Sequence, residues 1–296
     1  MHARNMLLGL AALFLFHHPV MAQDKPAYRL FDSQGKALSY RKALKRLASA
    51  DVVCFGELHN NPIAHWLELE LLLDLRAARP ATPFAVGAEM FEADQQGPLD
   101  AYLAGTLDRL GDTLQLWPNY DTDYAPVVDA CKAAGIPVIA TNVPRRYARQ
   151  VSLQGVSALD SLGPDERAWV VPLPFPIDDA LPSYAAMRDM FSGHGGQMNP
   201  DYFIAAQALK DATMAHFILQ YLPAGGCFYH LNGAYHSDSQ EGIIWYLRQQ
   251  RPDLRIANLS VVEQDDIAAP GPEHRGKADV LIVVPARMTK TYLSTF

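Results

Sequence analysis

The sequence predicts an α/β fold: a mostly parallel central sheet flanked by helices, with a helical and irregular insertion. Three observations predict it. Short apolar, β-branched runs recur at 52–55, 83–90, 136–141, 227–231, 255–262 and 280–284. Helix-length segments separate most of them. The runs end in glycine, carboxylate, imidazole or amide residues and feed helices, as in sheets that place ligands at strand ends.

The elements follow in chain order. Arg4, the charge-free apolar run Met6 to Phe16, Pro19 and the small-residue stretch Val20-Met21-Ala22 predict a secretory signal over 1–22, cleaved after Ala22. That run is shorter than the roughly 20 residues that cross a bilayer. No cysteine lies near the cleavage point to accept a lipid. The rest, 23–296, reads as a single domain, with nothing assigned before Asp51. Asp51 to Phe55 is a buried strand that stops at Gly56. Asn61 is an N-cap and Pro62 the first residue of a helix to Ala78. Ile63, Leu67 and Leu71 recur every fourth residue there, and Trp66 is set on the same side. A strand over 83–90 precedes helical stretches near 95–104 and 124–134, the latter closed by Gly135. A strand over 136–141 leads to a helix from Asn142 to Arg149. Residues 163–200, rich in Pro, Gly and Met, read as an irregular lid. Asn199-Pro200 opens a long helix to about Leu222, closed by Gly225-Gly226. The strand 227–231, a helix over 239–250 and strands over 255–262 and 280–284 complete the chain.

Composition narrows the function. Removing 22 of 296 residues leaves 274, and 49% apolar content allows a sizeable core. Loss of Arg4 from 25 Lys and Arg against 32 Asp and Glu leaves a mature charge of −8. Such a balance argues against nucleic acid or anionic membrane as a partner. Cys54, Cys131 and Cys227 each sit in or beside apolar stretches and read as small core residues. No Cys-x-x-Cys, Gly-x-Ser-x-Gly, His-Glu-x-x-His or phosphate loop is present.

The chemistry gathers at strand ends. In a parallel sheet Glu57, His59, Glu89, Arg145 and His236 share one edge. Glu57, His59, Glu89 and His236 are a candidate divalent-metal set, or a general-base set for a hydrolase. Arg145 and Arg146 are candidates to clamp a carboxylate, propionate or phosphate. As cleft residues, His59 and Glu89 are expected to tolerate alanine without loss of folding.

Gly56-Glu57-x-His59, Gly87-x-Glu89-Met90-Phe91, Trp117-x-x-Tyr120, Asn142-Val143-Pro144-Arg145, Gln207-x-x-x-Asp211-x-x-Met214-Ala215 and Asn232-Gly233-x-x-His236 stand in one order along the chain. The set resembles the ChaN family, haem-binding proteins associated with iron uptake, in a superfamily with TIKI metalloproteases and erythromycin esterases. The resemblance implies haem as cofactor, a homodimer with haem near its interface, and outer-membrane haem-uptake machinery as a partner. It also implies a tyrosine axial ligand, suited to ferric haem as a hard anionic donor. Tyr120, Tyr184 and His194 are candidate ligands. Tyr184, Met187 and Met190 have an equal reading as one apolar helix face, and Tyr120 as a structural corner. Asp211 faces either the cleft or solvent, and the resemblance favours the cleft. Haem binding in a bacterial periplasm, with His59, Tyr120, Arg145, Tyr184, His194, Asp211 and His236 around the cofactor, is the expected function. A metal-dependent hydrolase is the alternative.

Overall fold

A computed structural model describes residues 24–192 and 199–293. The signal segment 1–22 and His194 therefore lie outside the described residues. The chain opens with the short strands β1 (Arg29–Asp32) and β2 (Ala37–Leu38) and the helix α1 (Tyr40–Leu47). β3 (Val52–Glu57), α2 (Pro62–Ala78), β4 (Phe84–Glu92), α3 (Gln96–Leu103), α4 (Ala125–Ala134), β5 (Val138–Asn142) and α5 (Arg145–Gln154) follow. The insertion carries α6 (Pro164–Arg167) and α7 (Pro182–Ser192). α8 (Pro200–Tyr221), β6 (Cys227–Gly233), α9 (Ile243–Gln250), β7 (Ile256–Gln264) and β8 (Val280–Pro285) complete it.

The eight strands form one sheet in the order β2-β1-β8-β7-β3-β6-β4-β5. Pairing is parallel from β8 across to β5, and antiparallel only where β1 meets β8 and β2 meets β1. Helices cover both faces, which is why β3 and β6 are buried along their whole lengths and read as continuous apolar runs. The two-residue period of β3 splits its side chains between the layers. Val53 and Phe55 join Leu67, Leu71 and Leu75 of α2 and Val128 of α4 in one core. Val52 and Cys54 join Tyr147 of α5, Leu209 and Ile218 of α8 and Ile244 of α9 in the other.

Several expectations are corrected. The antiparallel edge β1–β2 and α1 were not read from the sequence. β3, β4 and β6 run on to Glu57, Glu92 and Gly233. Glu57 and Glu89 therefore lie inside the ladder and are buried, while His59 and His236 follow just beyond β3 and β6. Trp66 does not join the apolar side of α2: it is 46% exposed, with Nε1 donating to Glu70. The positions it would have filled belong to His65 and Glu68, both buried. All three cysteines are buried and unbonded, and burial pushes the Cys54 thiol up to about 12.

Topology fixes where the crevice lies. β3 and β6 are neighbours, but β3 continues into α2 on one face while β6 continues towards α9 on the other. The two connections diverge over the carboxyl ends of β3 and β6, where sheets of this kind take their ligands.

Candidate functional site

Strand period decides which way each acid points. Glu57 follows Val53 and Phe55 onto the α2–α4 face. Its Oε1 lies 2.6 Å from His59 Nδ1 and accepts from the Tyr124 hydroxyl at 2.7 Å. Glu89 turns to the opposite face. Its Oε2 accepts from the Gly233 backbone N–H at 2.7 Å, and its Oε1 lies 3.2 Å from His236 Nε2. His236 sits just beyond β6, with Nδ1 2.5 Å from Asp211 Oδ1 on α8. Asp211 in turn accepts from the Tyr184 hydroxyl of α7 at 2.7 Å. The four predicted residues thus meet at one edge as two imidazole–carboxylate clusters, joined at Gly233. A methyl on Gly233 would come within 2.8 Å of His59 Nε2 and 3.5 Å of Glu89 Oε2.

His59 is the exposed member. Its side chain is 37% accessible, with the ring edge-on to Trp117 at 5.0 Å. Its backbone is held firmly. The His59 carbonyl accepts from Asn119 Nδ2 at 2.9 Å and lies 3.2 Å from His65 Nε2. Asn61 caps α2 as predicted, accepting from the N–H groups of Ile63 and Ala64. A distant segment braces the same loop: Thr291 N–H donates to the Asn60 carbonyl and the Asn60 amide to the Tyr292 carbonyl. The Thr291 hydroxyl donates to Asp123 at 2.6 Å.

Behind His59 lies a buried nest that joins Glu57 to three residues absent from the predicted set, His65, Glu68 and Asp123. His65 Nδ1 is 3.1 Å from Glu68 Oε2 and 3.4 Å from Glu57 Oε2. His65 Nε2 faces the His59 carbonyl and Asp123 Oδ2, the latter at 3.3 Å. A sequence signal existed: His65 and Glu68 sit one turn apart on an otherwise apolar helix face.

Electrostatics separates the clusters. Burial alone would depress His236, but the charges of Glu89 and Asp211 outweigh it and raise it to about 10. It is an imidazolium at neutral pH. Burial opposes ionisation of Glu89, yet His236 and the Gly233 N–H hold its carboxyl well below the usual range. Burial likewise opposes ionisation of Glu57, yet Glu68 and His59 beside it keep it low. Burial and the Glu57 charge push Glu68 up. For His59 burial is outweighed by the bond to Glu57, and its basicity rises.

The remaining predicted residues lie around this centre. Arg145, at the start of α5, is 77% exposed and 3.9 Å from Glu92. Arg146 is paired with Asp94 at 2.5 Å. Tyr120 is buried against Phe91. Tyr184 and Met187 are buried beside α8, whereas Met190 is exposed, so they do not form one apolar face. Asp211 is fully buried behind the crevice, neither solvent-facing nor open to it. Tyr235, left unassigned by the motif Asn232-Gly233-x-x-His236, is 66% exposed between Gly233 and His236.

Comparison with known proteins settles the family. The model of the ChaN haem-binding uptake proteins, Tiki superfamily, matches residues 43–247, more than half of the chain. The chain belongs to the ChaN family. A solved structure of Campylobacter jejuni ChaN with cofacially bound haem superposes with a TM-score of 0.66 at 18% identity, covering 87% of this chain and 96% of that one. An erythromycin esterase is similar at a TM-score of 0.44 and 12% identity, covering 87% of this chain and 82% of that one. A chloroplastic protein of Arabidopsis thaliana, RETICULATA-RELATED 5, is 25% identical over 218 residues, 67% of this chain and 29% of its own length. The chain thus spans less than a third of that relative. The ChaN match includes every residue of both clusters, but stops short of the Thr291 brace.

Proposed function

We propose that this ChaN-family protein binds ferric haem in the β3–β6 crevice and handles it in the bacterial envelope, exported by its 1–22 signal. One observation carries the reading: the bare face of Gly233 keeps room in front of the Nε2 of His59, whose Nδ1 Glu57 holds. An imidazole whose inner nitrogen donates to a carboxylate has a fixed tautomer and a basic outer nitrogen, the arrangement of metal-ligating histidines. Haem supplies a ferric iron that takes such axial donors. Tyr235 is the exposed tyrosine beside the site and the second candidate donor. The Tyr184 hydroxyl is committed to Asp211. Arg145, with its guanidinium exposed at the same sheet edge, suits a propionate. Exposed donors also suit sharing of haem between two copies of the chain.

The test is a visible-light titration of the purified chain with ferric haem. Saturable Soret change near stoichiometry, lost in His59→Ala or Tyr235→Phe, is expected. Wild-type behaviour in both variants would sink the assignment. A hydrolase is the second reading, favoured by the imidazolium of His236 beside the raised basicity of His59. There His59 takes a proton from water and His236 steadies the developing anion. Ester turnover without haem binding would decide for it.

A further inference from the structure

We infer that Glu57, His65 and Glu68 form a second site, beneath the crevice, for one zinc-like divalent cation. Three features carry this, independently of the haem reading. The three donors converge: one ligand atom from each lies within 4.8 Å of the others. Two edges of that triangle, from His65 Nδ1 to the carboxylates, are 3.1 and 3.4 Å. A tetrahedral ion with ligands at about 2.0–2.1 Å needs edges of about 3.3–3.4 Å.

The second feature is unmet polarity. Glu57 Oε2 and Glu68 Oε1 are buried and have no hydrogen-bond partner. Glu57 is 1% exposed and Glu68 fully buried, and Glu57 Oε2 faces His65 Nδ1. Buried carboxylate oxygens without a donor are costly, and a cation among them removes the cost.

The third feature is the outer shell. His65 presents Nε2 to the Asp123 carboxylate and the His59 carbonyl, which leaves Nδ1 to the nest. Asp123 is itself fixed by Asn119, Thr122 and Thr291. Tyr124 holds the other Glu57 oxygen. A carboxylate–histidine pair behind the ligand is the usual support of a bound metal.

Because the donors are buried, the ion enters during folding. The full chain is therefore refolded from denaturant with zinc, dialysed against EDTA and analysed for metal by mass spectrometry. We expect stoichiometric zinc, and a higher Tm than for a zinc-free refold. The near-isosteric Glu68→Gln should lower retained zinc roughly tenfold or more and abolish the zinc-dependent rise in Tm. Glu89→Gln, on the opposite face, should retain the metal. No retained zinc in the wild type, with no zinc-dependent Tm, would overturn the site. So would loss of zinc in Glu89→Gln with retention in Glu68→Gln, which would put the ion in the crevice.

Discussion

His59 and His236 are built from the same parts and do opposite things. Each imidazole leans on a carboxylate projected by a central strand, Glu57 for one and Glu89 for the other. The difference is the cover. On the His236 side α8 packs Asp211 behind the ring, and Tyr184 seals it, so the histidine is locked as a buried ion between two acids. On the His59 side α2 passes beneath, Trp117 stands edge-on, and the ring stays accessible. Burial turns an imidazole–carboxylate pair into a fixture; exposure leaves it available to a ligand.

The largest test of that contrast is His236→Ala. It strands Glu89 and Asp211 as uncompensated buried acids and is expected to cost roughly 3–5 kcal/mol, read by chemical denaturation. Glu89→Ala should also be harmful, contrary to what the sequence suggests, because it takes one of the two acids from the buried imidazolium and leaves the Gly233 N–H unpaired. The pH profile should agree. His236 is raised when folded, so its contribution is complete below 6.5 and is lost as pH climbs from 6.5 through about 10. Glu89 is depressed, so its contribution is complete above 4.5 and is lost on acidification. In His236→Gln the alkaline fall in Tm should flatten.

Gly233→Ala comes next. Its methyl crowds the His59 ring and should cost about 1–3 kcal/mol by overpacking, with weaker haem binding in the Soret titration. His59→Ala should change stability by less than about 1 kcal/mol, yet weaken haem binding roughly ten- to a hundredfold. A stability loss matching that of His236→Ala would break the comparison. Smallest is Tyr235→Phe, expected within about 0.5 kcal/mol of wild type; its effect belongs in the ferric haem spectrum.

The sequence made the sheet legible because its central strands are buried on both faces and appear as uninterrupted apolar runs. The bounds of α2 were legible because Asn61 and Pro62 mark its start. β1 and β2 are four and two residues long, too short for a periodic pattern. α1 was legible in principle: Tyr40, Ala43, Leu44 and Leu47 follow a helical period, with Ala43 and Leu47 buried. The meeting of Glu57, His59, Glu89 and His236 followed from parallel topology. Their division between two faces did not, because strand ends could not be fixed to the residue, and one residue reverses the direction of a side chain. His65 and Glu68 stayed hidden because polar residues on an amphipathic helix read by default as its wet side.

The brace at Thr291 and Tyr292 sets an order of events. The loop bearing His59 is tied to residues 232 positions away in sequence. A chain cut before residue 291 keeps the strands of the sheet and both cores and loses only the clamp on the His59 loop. Such a chain holds the chemistry of the site without its rigidity. A chain trimmed there should lose the order of the His59 loop before it loses its fold.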